Sequence, residues 1–271
     1  PGRAADRRPP EPPRLPHPMT GLTYPQFHAA FVLPAVLTLL AATTISRRHA
    51  PDRTVWVRGA TRSYWFDVAL LVTVAVVYTT PWDNFLIARG VWGYGPGRIL
   101  ARVGYAPVSE YAFFGAQTIL TALWLSHLRA DPPGASHRGR QTRTRERLLG
   151  VGLAGAIGVV GLWCLRSDPT FYLGAILTWA APVLALQWAV GAPALLDRRR
   201  TVLLGVAVPT LYLSVVDRIA IHQGVWELSP TYTTGVTIWG LPVEEALFFL
   251  VTNVFVVQGL VLARWVRDRW R

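Results

Sequence analysis

Leu241-Pro242-Val243-Glu244-Glu245-Ala246-Leu247-Phe248-Phe249 sets two adjacent carboxylates at the head of a run that stays apolar as far as Ala263. A proline followed by acids suits a helix N-terminus, where amide hydrogens are unpaired and the dipole favours negative charge. In a soluble helix that would be a sufficient account. Here the roughly 20 apolar residues that follow are long enough to cross a bilayer. Acids at the rim of a spanning helix are costly unless they are paired, protonated or facing a cavity, so the pair reads as functional.

The stretch occurs twice. Upstream stands Ala106-Pro107-Val108-Ser109-Glu110-Tyr111-Ala112-Phe113-Phe114, with Pro, Glu and Phe-Phe at the same internal spacing. Asp83 and Gly90-Val91-Trp92 precede the first copy, and Asp217 and Gly224-Val225-Trp226 precede the second. The order Asp, Gly-Val-Trp, Pro-x-x-Glu, Phe-Phe thus recurs at an offset of about 134 residues. Tyr24 and Pro34 stand ten apart, as do Tyr172 and Pro182. This much agreement reads as an internal duplication.

Composition agrees with a membrane protein. Only 15% of the 271 residues are charged and 52% are hydrophobic, so the predicted fold is an all-α integral membrane protein rather than a soluble domain. The net charge of +12 comes from arginines clustered between apolar runs, the pattern of membrane loops, and it does not point to nucleic acid. Cys164 is the only cysteine, which excludes an intrachain disulfide.

Seven spans are expected, at about 24–45, 66–82, 107–128, 147–165, 171–191, 201–221 and 241–263. Residues 1–18 read as a Pro/Arg-rich disordered tail, with Met19 as the natural start and no signal-peptide pattern after it. Residues 19–130 form the first repeat, 131–169 a linker with a connecting helix, and 170–271 the second repeat. Spans one to three and five to seven are then tandem three-helix units running parallel in the membrane. That arrangement sets Asp83, Glu110, Asp217 and Glu245 on one side. Arginines of the opposite loops, Arg47 to Arg62, Arg129 to Arg147, Arg198 to Arg200 and Arg264 to Arg271, place the C-terminus in the cytoplasm by the positive-inside rule.

The duplicated order resembles the membrane-integral carotenoid cyclases, the two-component lycopene cyclases of actinobacteria and their fused archaeal, bacterial and fungal relatives. The likeness covers about residues 20–265 and is to the fused form. It implies cyclisation of the linear ψ-ends of lycopene, or of a related linear carotenoid, to β-ionone rings without net redox change. Membrane lipid and other enzymes of the carotenoid pathway are the remaining expected partners.

That chemistry needs a dry proton donor, a stabiliser for a carbocation and a proton acceptor. Burial and a second nearby acid both oppose ionisation of a carboxyl group. Glu245 and Glu110, which align, are the expected donors, with Glu244 as a coupled neighbour of Glu245. Asp217 and Asp83 would orient the donor, take up the released proton or hold the cation by charge. Aromatic faces stabilise cations, which makes Trp82, Trp92, Phe113, Phe114, Trp226, Trp239, Phe248 and Phe249 candidates for the substrate pocket. Tyr24 and Tyr172 read as interface anchors, and His222 as a helix-end cap or a proton relay. Ser109, Asn84, Ala88 and Arg89 stand where the second half has Glu244, Arg218, His222 and Gln223, which points to one composite site between the halves.

Four rivals share some of these features, one of them a non-catalytic carotenoid-binding or scaffold protein, which fits the aromatics but leaves four aligned acids unexplained. A retinal protein needs a lysine, and every cationic position here is Arg. A proton-coupled transporter would place its acids at mid-depth rather than at span ends. A cyclase of C50 carotenoids, or one making other ring isomers, would carry the same residues. No cofactor is expected, since Gly93-Tyr94-Gly95-Pro96-Gly97 is not a dinucleotide fingerprint. No metal is expected either, for want of histidine–carboxylate spacing.

Overall fold

Helix α1 (residues 24–49) opens on a reciprocal cap. The Gln26 backbone N–H donates to Thr23 Oγ1 (3.4 Å) while Gln26 Oε1 accepts from the Thr23 N–H (2.9 Å), satisfying two donors that a helix start leaves unpaired. Its second turn, His28–Val32, widens into a π-helix. The computed structural model describes residues 21–49, 62–128 and 140–269. The tail 1–18, Met19, and the loop arginines Arg53, Arg58, Arg129 and Arg138 lie outside them.

The other long helices among the described residues are α2 (Arg62–Arg89), α3 (Val108–His127), α4 (Arg140–Cys164), α5 (Phe171–Asp197), α6 (Arg199–His222) and α7 (Val243–Arg269). Six of the seven are long and apolar enough to cross a membrane; α3 is not among them. The reason lies in its surroundings. α3 packs against α1, α2, α6 and α7, and its polar side chains Gln117, Thr118, Thr121 and Ser126 are all buried. It can therefore carry polar groups that a lipid-facing helix could not. Two of them reach α7, where Gln117 Nε2 donates to Thr252 Oγ1 (2.5 Å) and Thr121 Oγ1 to Asn253 Oδ1 (2.6 Å), and Asn253 Nδ2 in turn donates to Thr210 Oγ1 of α6 (3.1 Å).

Several helices outrun their expected ends, α7 by six residues. α2 continues seven residues past the predicted stop at 82, through Pro81, and closes only at Gly90 (φ 79°). Proline removes one helical hydrogen bond, but Thr80 Oγ1 donates to Val76 O (2.6 Å) and Asn84 Nδ2 to Thr80 O (2.9 Å) beside it. Such local repair is how membrane helices tolerate proline. Asp83 accordingly sits inside a helix and faces the bundle. α5 extends six residues beyond its predicted end, with non-helical Gly191 (φ −157°, ψ 34°) marking a kink.

The loops at the acidic end contain short strand pairs that the all-helical expectation did not include. Arg102–Val103 pairs with Ala106–Pro107, and Thr237–Ile238 with Leu241–Pro242, each directly ahead of a glutamate-bearing helix. The second hairpin turns on Trp239 (φ 50°) and Gly240 (φ 80°), two left-handed residues in succession, the geometry a tight hairpin prefers. A third pair, Trp92–Gly93 with Glu227–Leu228, ties the two loops together. Pro107 and Pro242 consequently belong to strands immediately before α3 and α7 rather than to their first turns.

Candidate active site

Asp83 and Asp217 lie near the C-terminal ends of α2 and α6, while Glu110 and Glu245 lie in the first turns of α3 and α7. These helix ends meet. All four carboxyl groups line one cavity, with about 50 Å³ of room for water-sized spheres. Asp83, Asp217 and Glu245 are buried, at 1%, 3% and 8% exposure, so none can be hydrated as a surface carboxylate would be.

Phenols hold the two glutamates. The Tyr172 hydroxyl donates to Glu245 Oε1 (2.9 Å), and the Tyr94 hydroxyl donates to Glu110 Oε2 (2.8 Å) while accepting from Trp92 Nε1 (3.2 Å). Burial, reinforced by the neighbouring Glu110 and Asp83 carboxylates, pushes the Tyr94 phenol well above its ordinary range, so this hydroxyl remains a donor. The aspartates differ from the glutamates: Asp83 Oδ2 and Asp217 Oδ2 are buried with no hydrogen-bond partner. Buried polar atoms are nearly always paired, and an orphan at a cavity wall is a group available to whatever enters.

The rest of the wall is aromatic. Trp82, Trp92, Trp226, Phe113, Phe248 and Phe249 all line it. Trp82 lies parallel to Phe248, with centroids 5.8 Å apart and planes at 3°, and Phe113 meets Phe249 edge-on at 6.2 Å. Leu213 and Val216 supply aliphatic surface. The arrangement offers acid, stacked π-faces and little room for water.

Three expected site residues stand apart from the cavity. Glu244 is fully buried but turned toward the preceding loop, where its Oε1 accepts from the Thr234 N–H (2.7 Å) and Thr234 Oγ1 (2.8 Å). Neighbouring residues on a helix do not face the same way, so Glu244 and Glu245 cannot both point inward. Phe114 packs in the core against Tyr111. Trp239, 87% exposed, stands at the hairpin tip away from the acids. His222 is exposed as well.

Tyr24 and Tyr172, expected at the interface, are instead buried at the cavity, each 2% exposed. Their matching positions ahead of Pro34 and Pro182 were the available signal. Tyr94 gave none, sitting in a glycine-rich stretch that reads as a plain loop. His28 is a further surprise: its ring stacks on Phe113 (5.8 Å, 23°) and its Nε2 is buried without a partner.

The family model described as lycopene cyclase matches residues 169–260. Over 205 residues the chain is 52% identical to the lycopene beta-cyclase of Halobacterium salinarum, covering 75% of this chain and 84% of that protein. It is 34% identical over 254 residues to the bifunctional lycopene cyclase/phytoene synthase of Phaeosphaeria nodorum, covering 88% of this chain and 40% of that protein. The corresponding protein of Leptosphaeria maculans is 38% identical over 204 residues, 72% of this chain and 35% of its own length. No solved structure matches.

Proposed function

This chain belongs to the lycopene cyclase family, and on that premise we propose that its acidic cavity closes the ψ-ends of lycopene into β-ionone rings. The observation that carries the reading is the meeting of four carboxyl groups from distant parts of the chain in one aromatic cavity. The reaction is an isomerisation, in class terms an intramolecular lyase. An acid protonates the terminal double bond and leaves a tertiary cation. The neighbouring double bond attacks that cation, closing a six-membered ring, and loss of a ring proton regenerates a double bond. One proton enters and one leaves, so no oxidant or reductant is consumed.

Glu245, in its carboxylic-acid form, is the donor. Tyr172 fixes one of its oxygens, which orients the other for proton transfer at short range. The faces of Trp82, Phe248 and Phe249 stabilise the cation. Asp217, a cavity-lining residue whose Oδ2 has no hydrogen-bond partner, takes up the ring proton or holds the charge, and Glu110 with Asp83 completes the pocket from the first half. Glu244 is a clamp that fixes the loop before α7.

We further propose that the site is built by a tandem repeat, with α3 as a seventh span and α4 as the connecting helix. Crossed contacts between aligned residues support this. The Tyr78 hydroxyl donates to Trp179 O (2.8 Å), and Tyr212, its counterpart 134 positions on, donates to Phe31 O (2.6 Å). Tyr172 lies against Trp92 (5.5 Å) as Tyr24 lies against Trp226 (5.0 Å). Gly93 pairs with Glu227, also 134 positions on. In the tyrosine contacts the first helix of one half packs on the other half, and the strand pair joins the two corresponding loops. The protein would span the cell membrane with its C-terminus in the cytoplasm and the acids toward the outer leaflet, and would meet the other enzymes of the carotenoid pathway there.

Expression in a lycopene-accumulating bacterium, followed by pigment chromatography, tests the reading. The wild type is expected to convert red lycopene to cyclised orange product; unchanged lycopene would refute it. In the same assay Glu244→Gln should stay within about threefold of wild type, because an amide oxygen still accepts from Thr234. Loss of conversion by that variant, at normal protein level, would return Glu244 to the chemistry.

A further inference from the structure

The cavity that holds the acids has about 50 Å³ of free room, far too little for a polyene as long as lycopene. Most of the substrate must therefore lie outside it while one end reacts. That remainder is insoluble in water and has only the bilayer to occupy, so the cavity needs an opening toward lipid.

A groove on the outer face of α2 meets that need. It is an open depression of about 490 Å³ lined by Thr73, Val74, Val77, Tyr78, Pro81 and Trp82. Trp82 is the residue it shares with the acidic cavity. From Thr73 to Trp82 the helix rises roughly 14 Å at the standard rise per residue, enough to cradle a sizeable part of an extended chain. The groove presents hydrocarbon to its contents. Val74 and Val77 are 51% and 68% exposed, while the polar groups nearby are already paired, Thr73 Oγ1 to Ala69 O (3.0 Å) and Tyr78 OH to Trp179 O (2.8 Å). Nothing there would recognise a headgroup.

Trp82 separates the two spaces. Its indole stacks on Trp179 (4.8 Å, 23°) as well as on Phe248, and a single hydrogen bond to Ala175 O (3.2 Å) ties its Nε1 across to α5. Stacked rings can slide apart or be replaced by a conjugated chain at little cost, since a polyene offers the same kind of π-face.

We propose that the α2 groove is the polyene-binding subsite, entered sideways from the bilayer, with Trp82 as the door between tail and reacting end. This rests on the cyclase reading above. The tail would then lie along α2 with its reacting end at the acids, and the far end would be left in lipid. Only one end can be processed at a time, so a second ring requires release, reversal and re-entry.

The experiment uses the full chain in membranes, with Cys164→Ser as background because that thiol is the only native one. Val77→Cys and, off the groove, the equally lipid-facing Leu211→Cys (Leu211 is 64% exposed) are treated with methanethiosulfonates of increasing alkyl length. The expected result is a graded loss of lycopene cyclisation in Val77→Cys, reaching about tenfold or more with the bulkiest reagent. Leu211→Cys should keep its activity, and added lycopene should slow labelling of Val77→Cys alone. Val74→Cys replaces Val77→Cys if the latter does not accumulate. Full activity after complete labelling of the groove position, or equal losses at both positions, would overturn the subsite while leaving the cyclase reading intact. A background protein that cyclises no lycopene would instead overturn that reading, and the subsite with it.

Discussion

Glu245→Gln is expected to leave lycopene uncyclised, with conversion lower by about 10²–10⁴-fold, the range that a positioned proton donor supplies. Glutamine keeps the shape of the side chain, and its carbonyl oxygen can still accept the Tyr172 hydroxyl that now binds Glu245 Oε1 (2.9 Å). The protein should therefore accumulate normally, as immunoblots of the membrane fraction would establish, so the loss reports chemistry rather than folding. Glu110→Gln removes the aligned acid of the first half and should give a smaller loss. A protein in which Glu110→Gln abolished conversion while Glu245→Gln kept it would have the donor in the other half.

Asp217→Asn should lower turnover by about 10²–10³-fold, the cost of removing one preorganised electrostatic partner of a charged transition state. Asp217 is 3% exposed and its Oδ2 lacks a partner, which leaves one carboxyl oxygen to face a developing cation. An amide is neutral, with no charge to set against a cation and little basicity to take up a proton. Because this interaction exists only while the cation does, apparent affinity for lycopene should hardly move. Initial rates in membranes of graded lycopene content separate the two. Recovery of the rate at high lycopene would show that Asp217 serves binding instead.

The acids and most of the aromatics that line the cavity were legible in the sequence because the same order of residues recurs along it. Asp83 with Asp217, Glu110 with Glu245, and Trp92 with Trp226 stand in register, and all six line the cavity. What repetition cannot say is which way a side chain points. Glu244 and Glu245 look equivalent as text, yet one helical step turns Glu244 toward Thr234. Trp239 looked like a neighbour of the acids but the tight hairpin throws it outward. Tyrosines near span ends read as interface anchors because that is where such rings usually rest, and only tertiary contacts reveal that Tyr24 and Tyr172 turn inward. The second span was expected to stop at 82, and local side-chain bonds beside Pro81 carried α2 past it. The groove beside Trp82 had no sequence signal, since exposed valines on a spanning helix are ordinary.

Ring closure by this protein depends on transfer of a carboxyl proton to the polyene, and isotope incorporation tests that transfer most directly. Membranes containing the protein and lycopene are equilibrated in D₂O, and the product is examined by mass spectrometry and NMR after many turnovers. One deuterium per ring is predicted, on the ring methylene next to the gem-dimethyl carbon, because each turnover draws its proton from an acid that has exchanged with solvent. Cyclised product carrying no deuterium at that carbon would contradict proton-initiated ring closure.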